Sequence, residues 1–265
     1  MTMALGTLKY SLGAAPVTGC GISWTADELN AALAGPVGEV IFDDAGKADL
    51  AVLLAGLPDT EFDQTTIRDV LAVSRAPEDW RVGEALAESY LVRHRQCYFP
   101  WPDGRDERKS GSSLPGADLV GFQNDDETDR FAFGEVKTSS ENQYPPGAMY
   151  GPKGMKQQIE DLRDKEPIRR DLVKYLGYRA TNASWKGRFQ RAVSRYLSNS
   201  SDVRVFGLMV RDVLPHEDDL RVRVCKLGKD CPAAMVIELM AVYLPEGSIA
   251  TLSEKVVHFR GGDQA

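Results

Sequence analysis

The sequence predicts an α/β fold, a central mixed sheet with helices on both sides, and three observations predict it. Short apolar runs with strand character are bounded by turn residues, and amphipathic helical runs lie between them. Two of the strands, 117–122 and 130–139, are joined by the turn-rich QNDDETD and read as a β-hairpin. At 265 residues the chain can bury a substantial core, and 43% hydrophobic with 27% charged residues fits a globular protein. No apolar run is long enough to cross a bilayer, and the N-terminus lacks a basic start followed by a sustained apolar stretch. The expectation is a cytoplasmic protein without a membrane partner.

Residues 1–60 read as short strands and turns. VGEVIFDD (37–44) ends as a strand, with Asp43 and Asp44 as turn residues. ADLAVLLAGL (48–57) follows as a helix or a buried strand. Residues 1–75 are therefore an N-terminal extension, a small subdomain or an edge addition to the sheet, and 76–265 form the main domain. Around residues 78–96, Val82, Ala85, Leu86, Ser89 and Tyr90 recur at helical spacing, with Glu84 and Glu88 one turn apart on the opposite face. The Pro/Gly/Ser-rich stretch 97–116 is a loop, and its charges Arg105, Arg108 and Lys109 stand just before Asp118. After the hairpin, a Pro/Gly-rich loop (144–154) leads into helices at 155–165, 171–180 and 186–199. Strands are expected at 202–210, 219–226 and 235–244, and the end frays after Arg260.

The chemistry concentrates in GADLVGFQNDDETDRFAFGEVK (116–137). Side chains alternate along a strand, so Glu135 and Lys137 share one face while Val136 turns to the core. Asp118 stands on the neighbouring strand. Asp118, Glu135 and the Val136 carbonyl are hard oxygen ligands suited to Mg²⁺ or Mn²⁺. Such a cation lowers the pKa of bound water and neutralises charge on phosphate oxygens, and Lys137 is placed to orient the water or stabilise a pentavalent phosphorus. Glu84 or Glu88 belongs at the rim of the site, with Gly83 favouring Glu84 by allowing close approach. Gln157 or Gln158, one element later, is placed to hydrogen-bond water or substrate.

The order of helix with Glu84, strand with Asp118, strand with Glu135-x-Lys137 and helix with Gln158 resembles the PD-(D/E)xK nuclease superfamily. The resemblance covers about residues 80–165 and implies a restriction-endonuclease-like core within 76–265, with a strand extension at its C-terminal end. It implies Asp118, Glu135, Lys137, Glu84 and Gln158 as catalytic, a Mg²⁺ (or Mn²⁺) cofactor and DNA as substrate. The chain departs at the first motif, where Ala117-Asp118 replaces Pro-Asp. DWRVGEALAESYL, GADLVGF, GEVKTS, the segment with Trp185 and Tyr196, and FGLMVRDV also look like the HamA nucleases of Hachiman antiphage systems. That likeness implies a helicase partner and a role in antiviral defence.

Net charge is −7, against indiscriminate coating of nucleic acid. Residues 151–200 nevertheless hold twelve Lys/Arg against five acids, so Lys153 and Lys156, together with Arg105 and Lys109, are candidates for phosphate contacts. The four cysteines lack zinc-ribbon spacing and read as reduced thiols, and the three histidines are scattered. Two alternatives stand beside a deoxyribonuclease: a non-catalytic nucleic-acid or protein-binding module on the same fold, and an RNA-directed nuclease.

Overall fold

In the computed structural model the described residues are 3–55, 76–102, 105, 116–125 and 128–262. Seven strands form one mixed sheet: β1 (Thr7–Ala14), β2 (Val17–Ser23), β3 (Cys97–Tyr98), β4 (Leu119–Asn124), β5 (Asp129–Ser139), β6 (Val203–Arg211) and β7 (Val236–Tyr243). Their spatial order is β1-β2-β7-β6-β5-β4-β3. The four central strands β2, β7, β6 and β5 are parallel, and β1, β4 and β3 add antiparallel edges. Central parallel strands are buried on both faces, which explains why β6 and β7 read as nearly continuous apolar runs. Residues 7–23 thus extend the sheet at one edge, β2 pairing with β7.

Helices cover both faces. One face carries α1 (Ala26–Ala32), α2 (Gly38–Phe42), α4 (Asp79–His94) and α9 (Leu252–Gly262), whose Leu29, Phe42, Leu86 and Leu252 join one core. The other carries α5 (Met155–Asp164), α6 (Glu166–Ala180), α7 (Lys186–Ser198) and α8 (Arg221–Gly228), contributing Ile159, Leu176, Tyr196 and Leu227 to a second core. α1 begins at a capping box: Glu28 donates its N–H to Thr25 Oγ1 at 3.3 Å, and its carboxylate accepts the Thr25 N–H at 2.7 Å. Between the two cores, β5 alternates strictly. Phe131 and Phe133 enter the α5–α8 core, while Ala132 and Val136 enter the α1–α4 core.

Two expected strands are helices. In 219–226, Leu220, Val222 and Val224 alternate like a strand. The structure buries Leu220, Val224 and Leu227 and leaves Val222 46% exposed, the 3.6-residue period of α8. Likewise VGEVIFDD supplies α2, which is entered from a π turn (Leu33–Val37) ending at Val37. Buried Leu33, Val37 and Phe42 anchor it, overriding the strand preference of Val40 and Ile41. Asp43 then takes a left-handed conformation (φ 42°) and caps α3 (Asp44–Leu54) through the Gly46 N–H. ADLAVLLAGL is thus helical through Leu54, but exposed, with Val52 76% and Leu53 73% accessible. The last described segment is α9, with Leu252 and Val256 buried, and it runs through Gly262, two residues past the expected onset of fraying. Among the described residues, no helix is long and apolar enough to cross a membrane.

Candidate active site

The β4–β5 hairpin has the register Leu119↔Gly134 through Asn124↔Asp129, which places Asp118 across from Glu135. Asp118 lies one residue before β4, not within it, behind Gly116, whose φ of +116° suits a residue without a Cβ. The Val136 N–H donates to Asp118 Oδ2 at 2.7 Å, tying this carboxylate to the strand that carries the other two groups. By the alternation of β5, Glu135 and Lys137 face the α5 side and Val136 is buried on the α4 side.

Asp118, Glu135 and Lys137 line one cleft of about 460 Å³ with Lys153, Gln158 and Asp161. Glu135 is wholly buried; its Oε1 accepts from Lys137 Nζ, and its Oε2, which no N–H or hydroxyl among the described residues reaches, is left to share a proton with the neighbouring Asp118 carboxylate. Burial, reinforced by the neighbouring Asp118, pushes the Glu135 carboxyl up to about 9. Burial also raises Asp118, against the opposing pull of Lys137 and the Val136 N–H. For Lys137, burial acts to lower the pKa, but the Glu135 and Asp118 carboxylates outweigh it and hold the ammonium charged. Two buried carboxylates facing one ammonium therefore retain a proton at neutral pH, and that proton makes Glu135 compatible with Asp118.

The donor set fits a hard divalent cation. The two neighbouring carboxyls, both raised by burial, are relieved by positive charge, and Mg²⁺ commonly takes one or two carboxylates while keeping waters. Among the described residues, no group of three or more His, Cys, Asp or Glu side chains is arranged to hold a metal. The protein ligands would be Asp118 and Glu135, with the Val136 carbonyl from the same strand.

The other expected site residues divide. Gln158 lines the cleft and donates to the Lys153 carbonyl at 3.2 Å, whereas Gln157 bonds Asp161 Oδ1 at 2.6 Å. Glu84 does not line the cleft, because α4 packs on the Val136 face of the sheet. It pairs with Arg81 at 2.8 Å, and its charge still supports the ammonium of Lys137. The close approach expected of Gly83 is present: a Cβ there would lie 2.1 Å from Thr138 Oγ1. Asp161 was not anticipated; its spacing of three from Gln158 on α5, which puts both on one helix face, was the available signal.

Part of the basic excess of 151–200 is paired within the fold. Arg188 and Arg191 grip the buried Asp129, and Arg195 bridges Asp125 and Asp202. Arg169 is buried on the carbonyls of Leu162 and Arg163. Arg105, expected to meet phosphates, forks onto Asp43 with both bonds at 2.7 Å and lies over Trp101. Lys109 and Arg108 are outside the described residues. Lys153 lines the cleft; Lys156 lies on α5 and is not part of the lining.

No protein-family model matches the chain, and no curated protein matches its sequence.

Proposed function

We propose that the protein is a metal-dependent nuclease that hydrolyses DNA phosphodiesters at the Asp118–Glu135–Lys137 cleft. One observation carries the reading: a fully buried glutamate beside a second carboxylate raised by burial and an ammonium, all lining one open cleft. Such an arrangement is costly for stability alone, because two carboxyls are held out of water side by side. When bound, Mg²⁺ or Mn²⁺ supplies a water of lowered pKa and neutralises phosphate charge. Glu135 and Asp118 would hold the cation, the Val136 N–H fixes the Asp118 carboxylate, and Lys137 would meet the water or the developing phosphate charge. Lys153 offers a cation to the substrate backbone at the cleft mouth.

The wider resemblance in sequence supports placing this activity in antiphage defence beside a helicase partner. The test is degradation of plasmid DNA and of an RNA of matched sequence with Mg²⁺, alone and with a helicase encoded by a neighbouring gene. Loss of cutting in Glu135→Gln and Lys137→Ala supports the site. Metal-independent binding without cutting, unchanged by those substitutions, favours a binding module.

A further inference from the structure

Away from the cleft, α6 and α7 enclose a groove of about 830 Å³. Val173, Phe189 and Val193 line it, and Tyr178 and Leu197 stand in the same lining 72% and 78% exposed. Large apolar side chains gathered in one exposed groove mark a surface that meets a partner. The groove is built in: a Cβ at Gly177 would lie 3.1 Å from the Phe189 ring, so α6 and α7 pack closely where both residues line it. Arg170, Lys174 and Tyr178 recur every fourth residue and share one face of α6. The lining's cations, Arg170 and Lys174, outnumber its acid, Glu166, and no carboxylate pairs with either cation among the described residues.

The same chain carries a helix of matching chemistry. No residue of α3 is buried, and Ala45, Ala48, Asp49 and Val52, all exposed, fall on one of its faces with Leu53 alongside. Arg105 forks onto Asp43 and Arg260 onto Asp44, which pins the first turn and presents the rest of the helix to its surroundings. Asp49 bonds no cation among the described residues. A helix with a small apolar face and one carboxylate suits a groove with an apolar lining and spare cations. No residue of α3 lines the groove of its own chain, so the occupant must come from another molecule. We propose that α3 of one copy lies in the α6–α7 groove of a second copy, with Asp49 facing Lys174 and Arg170, and that the contact is returned across a two-fold axis. An 11-residue helix is about 16 Å long and 10 Å wide, so one docked helix hides only roughly 300 Å² on each side. The reciprocal contact brings the total to the ~1,200 Å² that a specific interface buries.

The test is the mass of the full chain in solution, by sedimentation and light scattering across the micromolar range. A monomer–dimer equilibrium is expected. Leu53→Glu on α3 and Leu197→Glu in the groove should each raise the dimer Kd about tenfold or more. Asp49→Lys and Lys174→Glu should each weaken the dimer, and the chain carrying both should recover most of the loss, since its exchanged charges again face one another. All four positions are exposed, so circular dichroism should report an unchanged fold. A chain that stays monomeric at every concentration overturns the proposal. So does a dimer that neither glutamate substitution weakens, a charge exchange that recovers nothing, or a mass that grows beyond two copies. None of these results bears on cutting at the Asp118–Glu135–Lys137 cleft, which is measured separately.

Discussion

Replacing Glu135 by glutamine should stabilise the metal-free protein, and do so more strongly as pH rises. In the unfolded chain this carboxyl ionises above its ordinary 4.5, whereas in the folded protein burial and Asp118 hold its proton to about 9. A group with a raised folded pKa leaves stability intact below the unfolded value and erodes it as pH climbs towards the folded one. The erosion amounts to about 1.4 kcal/mol per pH unit. Between pH 5 and pH 8 the glutamate therefore costs roughly 4 kcal/mol that glutamine, neutral throughout, does not. Lys137 loses a carboxylate partner in the variant, which trims the gain, but its side chain is 22% exposed and reaches water. Urea denaturation in EDTA at pH 5, 6.5 and 8 measures the effect: the variant's advantage should grow with pH while the proposed cutting of DNA is abolished. A stability offset that stays constant across the three pH values would refute the assignment of a retained proton to this pair.

Three further outcomes follow from the same geometry. Because a cation must displace the proton held by Glu135 and Asp118, Mg²⁺ affinity should rise towards tenfold per pH unit between pH 6 and 8; a flat calorimetric titration series would contradict that. Gly83→Ala drives a Cβ against Thr138 Oγ1 and should cost about 1–3 kcal/mol in urea denaturation, with Gly83→Ala/Thr138→Ala recovering most of the loss. Arg211 is wholly buried, donating to the carbonyls of Ser139, Glu141 and Gln143 and to Asp219. Arg211→Met strands Asp219 and should cost about 3–5 kcal/mol in the same assay, far more than an exposed substitution such as Val222→Ala.

The hairpin and the shared face of Glu135 and Lys137 were legible because strand periodicity is local: residues two apart must share a face once β5 exists. The flanking helix α4 was readable for the same reason, from Val82, Leu86 and Tyr90. What escaped was set by distant partners. The α8 segment carries Val and Leu at both strand and helix spacing, and only packing against the sheet decides which set is buried. Arg105 and the α7 arginines were visible as charge, whereas the aspartates that engage them, Asp43, Asp125, Asp129 and Asp202, come from separate stretches of chain.

The position of β2 bears on how the chain can be cut down. It lies between β1 and the fully buried β7, pairing Val17 through Ser23 with Ile237 through Tyr243. Removing the first two dozen residues would bare a long, flat, apolar strand with a row of open amides, a template for sticking to neighbouring molecules. A trimmed fragment beginning after residue 75 should therefore collect in inclusion bodies, however complete its cleft.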